Sequence, residues 1–114
     1  MVIRRGEVHW ANLPDPEQHE PGHRRPVVVV QSDFFNASGI PTVLVVPLTT
    51  SRHLAKAPGN IKLEAAETGL AKDSIAVISQ ITAISRSRLD GCICELAPEI
   101  LFMIDNSIRL VLDV

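Results

Sequence analysis

Two adjacent arginines stand where a polar loop runs into an apolar strand, and they are the side chains best suited to chemistry in this chain. Arg24 and Arg25 precede Pro26, which fixes its own φ and disfavours a helical backbone at Arg25. Arg25 is therefore predicted at the mouth of a strand, where a guanidinium can meet a carboxylate or a phosphate through two parallel hydrogen bonds. A salt-bridged surface arginine is the plainer alternative.

Three groups of polar residues could converge on one side of the sheet. The first is Glu20, His23, Arg24 and Arg25, the second is Thr49, Thr50 and Ser51, and the third is Ser79 and Gln80. An arginine, a hydroxyl and a carboxylate together can support phosphate chemistry without a metal ion. The loop that carries Arg52, His53 and Lys56 is either a path for phosphates or an ordinary solvated loop.

Other catalytic patterns are missing from the sequence. No His, Asp and Glu cluster has metal-ligand spacing, no glycine-rich loop could cradle phosphates, and no nucleophile elbow is present. The only cysteines, Cys92 and Cys94, are two residues apart, so on a strand both are predicted to pack inward as small apolar side chains. Reduced thiols without further zinc ligands nearby indicate a reducing cytoplasm.

Size and charge narrow the function further. The 114 residues are predicted to form one domain, 1–114, large enough to bury a core. A net charge of −2 and a pI near 6.0 argue against a protein that coats nucleic acid, so any such site must be a local basic patch. No apolar signal core and no run of about 18 apolar residues is present, which predicts no membrane association.

Hydrophobic patterning predicts many short strands and one long helix. The strands are expected at about 7–13, 27–30, 42–48, 60–64, 74–78, 80–84 and 91–95. Residues 14–22 form a long loop with three prolines, residues 32–36 an irregular connection, residues 67–69 a turn, and residues 85–89 a single helical turn. Pro47 is taken as a sign of an edge or a bulge.

The last helix is predicted to begin at Pro98, a favourable first-turn residue. Its apolar stripe contains Leu101, Ile104, Ile108 and Val111, with an ion pair between Asp105 and Arg109 on the other side. The predicted fold is therefore mainly β, a small and mostly antiparallel β-barrel with a C-terminal α-helix packed on it.

Several motifs, taken in order, resemble the MazF/PemK/Kid toxins. They are RGEV at 5–8, EPGHRRPVVVVQSD at 20–33, VPLTT at 46–50, ETGLAKDS at 67–74 and SQ at 79–80, followed by RL at 88–89 and LAPE at 96–99. The resemblance implies an SH3-like barrel of the CcdB/PemK type. It also implies a homodimeric endoribonuclease of a type II toxin–antitoxin module, which cuts single-stranded RNA at short sequences without metal or cofactor and is neutralised by a MazE-like antitoxin.

The resemblance also implies roles for individual residues. The family's catalytic arginine, threonine and loop acid fall on Arg25, Thr49 and Glu20. The reaction it implies is attack of the 2′-hydroxyl on the adjacent phosphorus, which leaves a 2′,3′-cyclic phosphate and a 5′-hydroxyl. The expected substrate-binding residues are His23, Arg24, Thr50, Ser51, Arg52, Lys56 and Gln80.

The proton acceptor is not fixed by the resemblance. The Kid branch has an acidic residue where this chain has Ser79, and the histidine that directly precedes the arginine in some members is Arg24 here, with His23 one place earlier. Glu20 or His23 suits the role of base better than Arg25, because arginine is practically never deprotonated.

Aromatic residues and rival functions complete the predictions. Trp10, Phe34 and Phe35 could stack on RNA bases, although Trp10 also suits a core or a dimer interface. The main rival is a CcdB-like gyrase poison on the same barrel, which acts through an aromatic C-terminal end that residues 110–114 lack. A catalytically inactive homologue kept for partner binding is the second rival.

Overall fold

A single antiparallel sheet forms most of the computed structural model, which describes residues 2–14 and 23–114. Its strands are β1 (Glu7–Leu13), β2 (His23–Val29), β3 (Thr42–Thr49), β4 (Ile61–Leu63), β5 (Ser74–Ala76), β6 (Thr82–Ser85) and β7 (Leu89–Glu95). Three α-helices accompany them: α1 (Asp33–Asn36), α2 (Ala65–Thr68) and α3 (Pro98–Leu112). Short 3₁₀ turns span Arg52–Lys56, Ile78–Gln80 and Arg86–Arg88.

The strand order explains how distant segments meet. The sheet runs β4-β5-β3-β2-β1-β7, and β6 pairs with β3 beside this path. Every pairing is antiparallel, and the sheet curls into a half-barrel with α3 against it. The predicted fold class, a mainly β small barrel with a C-terminal helix, is confirmed.

The valine strand β2 supplies both sides of the core. Val28 and Val30 belong to the cluster that packs against Ile100 and Ile104 of α3, while Val27 and Val29 belong to a second cluster on the opposite face. All four are buried, as expected for an apolar β-branched run without alternation. The strand is therefore fixed from both faces at its C-terminal end.

Pro47 lies in an interior strand, so the prediction of an edge or a bulge there is wrong. β3 pairs with β2 on one side. On its other side, β3 pairs with β6 up to Val45 and with β5 from Leu48 onward. Pro47 falls in the gap between these two partners, where its missing N–H interrupts no strand ladder. Its carbonyl oxygen accepts a hydrogen bond from the backbone N–H of Val77.

The C-terminal helix begins at Pro98, as predicted, and buries Ile100 and Ile104. The ion pair predicted within this helix is wrong. Asp105 accepts a hydrogen bond from Arg5 at 2.5 Å instead, and Arg109 donates to the side chain of Asn106. The Arg5 side chain also donates to the backbone carbonyl of Val30, so one arginine links the N-terminal segment to both the sheet and the helix.

Three local predictions need correction. Residues 32–36 contain the short helix α1, whose first turn is capped by the Ser32 hydroxyl, rather than an irregular connection. The predicted turn at 67–69 is the end of the short helix α2 and its left-handed cap residue, Gly69. The predicted strand 80–84 begins only at Thr82, after a 3₁₀ turn. In the described parts of the chain, no helix is both long and apolar enough to cross a membrane.

Candidate active site

Arg25 and Thr49 lie on one face at the ends of neighbouring strands. Val27 of β2 is opposite Pro47 of β3, and continuing this antiparallel register by two residues brings Arg25 level with Thr49. Residues that are directly opposite in such a pair share a face of the sheet. Both side chains line one cavity of about 250 Å³, together with Arg24, Pro26, Leu48, Thr50 and Ser74.

The backbone around this cavity is held by the core rather than by the site itself. Pro26 and half-buried Arg25 directly precede the fully buried residues Val27 to Val29 on β2. Thr49 likewise follows buried Leu48 on β3. The two candidate side chains thus project from strand positions next to the buried core, which favours a preorganised site.

The Thr49 hydroxyl has a local partner. Its oxygen accepts a hydrogen bond from the backbone N–H of Ser51 at 3.2 Å, in the kind of turn that threonine commonly forms. Accepting this bond does not use the hydroxyl proton, which can be donated to a phosphate oxygen. The contact also orients the side chain at the end of β3.

Arg24 is held by two contacts. Its guanidinium carbon lies 4.5 Å from the centroid of the Trp10 ring, and it donates to the Asp90 carboxylate at 3.3 Å. Cation–π contacts of this kind and exposed ion pairs are each worth about 1 kcal/mol or less. These two contacts therefore orient Arg24, whose positive charge stays exposed to solvent, and its guanidinium stacks on half-buried Trp10.

A second, larger cavity of about 680 Å³ adjoins the first and shares Thr50 with it. Its lining includes Arg52, Lys62, Lys72 and Ile75. Thr49 is opposite Ile75 on β5, and Ile75 is opposite Lys62 on β4, so one face carries this row across three strands. We call the combined surface the cationic groove and define it by Arg24, Arg25, Thr49, Thr50, Arg52, Lys62 and Lys72.

Lys62 and Lys72 were not among the residues predicted from the sequence. Lys72 lies within the motif at 67–74 that carries part of the family resemblance, which was the available signal. Lys62 had none, because only the strand order brings β4 beside β5 and β3. Two acidic residues reduce the positive charge, since Asp73 lies 3.8 Å from Lys62 and Asp90 lies 3.3 Å from Arg24, both in exposed ion pairs.

Other predicted site residues lie elsewhere. Among the described residues, His23, Ser51 and Lys56 are exposed and do not line either cavity of the cationic groove. Gln80 is half-buried at the end of a 3₁₀ turn, next to exposed Ser79. Glu20 falls in 15–22, outside the described residues.

The two phenylalanines form a separate exposed pair. Phe34 and Phe35 are 78% and 51% exposed on α1, and their ring centroids are 5.5 Å apart in an edge-to-face arrangement. Neither lines the cationic groove. The structure therefore does not bring them to the arginines.

The prediction that both cysteines pack inward is wrong for Cys92, which is exposed, while Cys94 is half-buried. Register shifts between β1 and β7 break the simple alternation on which that prediction rested. The expectation that no metal ligand stands near these thiols is also wrong, because Glu7 and His9 lie beside Cys92. Burial and, secondarily, the Glu7 carboxylate raise the pKa of the Cys92 thiol.

Comparison with solved structures places the fold among toxin structures. MazF from Deinococcus radiodurans superposes with a TM-score of 0.81 at 22% identity, over 100% of this chain and 99% of that one. An endoribonuclease in complex with its cognate antitoxin from a mycobacterial species superposes with a TM-score of 0.76 at 18% identity, over 99% and 95%. At such identities the similarity establishes the fold.

Sequence comparison establishes the family. The sequence model of the family described as "PemK-like, MazF-like toxin of type II toxin-antitoxin system" matches residues 4–112. Endoribonuclease MazF6 of Mycobacterium tuberculosis H37Rv is 38% identical over 113 residues, which is 99% of each chain. Endoribonuclease EndoA of Bacillus subtilis 168 is 32% identical over 110 residues, 96% of this chain and 94% of the other. This chain belongs to the PemK-like, MazF-like toxin family.

Proposed function

We propose that this chain is the endoribonuclease toxin of a type II toxin–antitoxin module and cuts single-stranded RNA at a short sequence without a metal ion. The observation that carries the proposal is the shared cavity of Arg25 and Thr49, in a chain whose relatives at 32–38% identity are named endoribonucleases. We take residues 1–114 as one toxin domain acting in the cytoplasm.

The proposed chemistry assigns transition-state stabilisation to Arg25. As the 2′-hydroxyl attacks phosphorus, negative charge builds on the nonbridging oxygens. A guanidinium at this position can donate two parallel hydrogen bonds to those oxygens. Fixed donors of this kind typically contribute about 3–4 kcal/mol to a transition state. Thr49 adds a hydroxyl donor to the same phosphate from the neighbouring strand.

In this scheme the proton of the attacking hydroxyl goes to Glu20 or His23. The bond from phosphorus to the 5′-oxygen breaks, and that oxygen takes a proton from water to leave as a 5′-hydroxyl. His23 begins β2, two residues before Arg25, and has an unusual positive φ of 61°. A left-handed backbone at a non-glycine residue is uncommon and turns the chain sharply.

The rest of the cationic groove is proposed to hold the RNA backbone. Arg24, Arg52, Lys62 and Lys72 extend the positive charge from Arg25 past Thr50. Such a path suits single-stranded RNA, whose phosphates follow a charged groove while its bases are read individually. Thr50 sits between the two cavities and is proposed to contact the nucleotide beside the cleavage point. Ser51, Lys56 and Gln80 remain proposed peripheral contacts.

A homodimer and an antitoxin complete the proposal. Symmetric pairing is the common form of assembly for small domains, and the exposed apolar side chains Phe102, Met103 and Leu110 on α3 provide surface for it. Solved relatives are described in complex with a cognate antitoxin or as MazE-MazF. An acidic antitoxin segment that folds over the cationic groove would exclude RNA.

The gyrase-binding alternative is less well supported. The chain's family is that of PemK-like, MazF-like toxins, and several relatives carry an endoribonuclease name. A toxin that binds gyrase through an aromatic C-terminal end does not use the cationic groove. An inactive homologue is distinguished by the assay below.

The test is cleavage of a long single-stranded RNA by the purified protein in excess EDTA, with mapping of both ends of every fragment. We expect fragments with 5′-hydroxyl and 2′,3′-cyclic phosphate ends at one short motif. The group of potential metal ligands found in the described residues lies on β1 and β7, outside the cationic groove. Loss of cleavage on chelation that only a divalent cation restores would contradict the mechanism.

A further inference from the structure

Three potential metal-ligating side chains meet where β1 pairs with β7. Glu7 and His9 are two residues apart on β1, and Cys92 is directly opposite His9 on β7. The ligating atoms of Glu7, His9 and Cys92 all lie within 4.8 Å of one another. These residues contribute nothing to the lining of the cationic groove.

The spacing is close to that of a tetrahedral zinc site. Two ligands at about 2.1 Å from a tetrahedral ion lie about 3.4 Å apart, and a sulfur ligand lies slightly farther from the others. Glu7 Oε1 and His9 Nε2 are already 3.0 Å apart. Glu7 Oε1 also accepts a hydrogen bond from the backbone N–H of Arg4 at 2.9 Å, which holds this carboxylate beside His9.

The ligand types agree with the geometry. We propose that Glu7, His9 and Cys92 bind one Zn²⁺ ion per chain. Thiolate, imidazole and carboxylate are the three ligand types that Zn²⁺ takes in proteins, and three of them leave a fourth position for water. Cys92 is exposed, so solvent can reach that fourth position.

The surroundings of the cluster favour a cation. His9 is 1% exposed, and its Nδ1 atom has no hydrogen-bond partner among the described residues. In the metal-free protein the Glu7 carboxylate accepts a hydrogen bond from Nε2–H. For Nε2 to offer its lone pair to Zn²⁺, the ring proton moves to Nδ1, which has no competing partner among the described residues. Negative charge surrounds the cluster, because the carboxylates of Glu7 and Glu95 both lie near the Cys92 thiol.

Zinc at this position would join β7 to the rest of the sheet. β7 pairs with β1, which in turn pairs with β2, the strand that carries Arg25. The pairing of β1 with β7 is interrupted by two register shifts. A coordinated ion would add a cross-strand link where the hydrogen-bond ladder is weakest, so its effect is on stability rather than on the reaction.

The experiment is a titration of the full chain, stripped of metal by EDTA and dialysed under a non-thiol reductant, with Zn²⁺ in competition with a chromogenic chelator. One ion per chain is expected, together with a higher midpoint of thermal unfolding. Co²⁺ in place of Zn²⁺ should give a thiolate charge-transfer band in the near ultraviolet.

The variants compare the two cysteines. Cys92→Ser should remove the Co²⁺ band and weaken Zn²⁺ binding by no less than the roughly 10–100-fold that loss of an outer-sphere partner costs. Cys94→Ser, its matched control two residues away, should retain both. The second ligand is tested by Glu7→Gln and not by a His9 variant, because substitution of buried His9 could disturb the fold. Glu7→Gln should weaken Zn²⁺ binding while leaving the fold intact.

Weak binding by the wild type, an unchanged titration of Cys92→Ser, or dependence on Cys94 would each overturn the zinc site. None of these results bears on the proposed ribonuclease, which is tested by cleavage in EDTA. The reverse also holds, since an inactive protein would still give the zinc titration.

Discussion

The two ends of β2 differ sharply in composition and in burial. At the N-terminal end, His23 and Arg24 are exposed and Arg25 and Pro26 are half-buried. At the C-terminal end, every side chain from Val27 to Val29 is fully buried between two clusters of the core. Only two residues separate the exposed cation Arg24 from Val27, which has no exposure at all.

This contrast shows how a small domain can keep a charged site rigid. The apolar end fixes the strand from both faces, and the polar end inherits that rigidity without having to be buried itself. β3 repeats the arrangement, with buried Val46 and Leu48 followed by half-buried Thr49. The catalytic proposal therefore predicts that changes at one end affect rate and changes at the other affect stability.

The largest effect is expected from Arg25→Ala. Loss of the guanidinium should lower the cleavage rate by about 10³-fold, because a fixed donor to the transition-state oxygens is removed. Arg25→Lys should fail as well, since an ammonium cannot form the two-pronged contact. Single-turnover cleavage at saturating RNA measures this.

Arg109→Ala is the control for the loss of one exposed positive charge, because Arg109 contacts Asn106 on α3 and lies outside the cationic groove. The thermal unfolding of Arg25→Ala should match that of the wild type. Near-normal cleavage by this variant would move the site away from β2.

Val28→Ala tests the apolar end of the same strand. Val28 has no exposure and belongs to the cluster that contains Ile104, so truncation should cost about 2–3 kcal/mol in the free energy of unfolding. Urea unfolding at one fixed protein concentration gives this value, with exposed Val2→Ala as the control. Cleavage per folded molecule should stay within error of the wild type. A large rate loss in the folded variant would remove the proposed division of β2.

Thr49→Ala extends the comparison to β3. Removal of one hydroxyl donor to a charged phosphate should cost roughly 1.5–2 kcal/mol, or about 10–30-fold in rate. Thr49→Ser should recover most of the activity because it keeps the hydroxyl. Thr42→Ala, at the exposed opposite end of β3, is the matched control. If Thr49→Ser were as slow as Thr49→Ala, the methyl group rather than the hydroxyl would matter.

The smallest effect is expected at the far end of the cationic groove. Lys72→Ala should weaken RNA binding a few-fold and reduce the magnitude of the salt slope by about 0.7, the value for one phosphate of a single strand. Lys72 is the cleaner choice because Lys62 already faces Asp73. Binding of uncleaved RNA to the Arg25→Ala protein, with and without Lys72→Ala, measures this. An unchanged slope would exclude Lys72 from the RNA path.

The sequence predicted those features that depend on neighbouring residues. The run of valines after Pro26 predicted a strand buried on both faces, and Pro98 predicted where the last helix begins. The position of Arg25 before the valine strand and of Thr49 after the next strand was enough to predict that the two side chains lie close together. Each of these inferences uses local backbone chemistry, which the sequence states directly.

Features that depend on strand order were beyond the sequence. Lys62 joins the cationic groove because β4 pairs with β5, which pairs with β3, and nothing near Lys62 indicates this pairing. Asp105 contacts Arg5, which is 100 positions away in the sequence, rather than Arg109, which is one helical turn away. Cys92 faces outward beside Glu7 and His9 because of register shifts, which a rule of simple alternation omits.

Those same register shifts bear on solubility. β7 ends the strand order, and a flat strand at the edge of a sheet offers unpaired N–H and C=O groups to any other chain. Here the ladder is broken at two points, and Gly91 has a φ of 121°, a backbone conformation that side-chain-bearing residues rarely adopt. An irregular edge is a poor template for strand addition and for fibre growth. The distortion that gathers three ligating side chains therefore also disfavours pairing of β7 with a strand of another molecule.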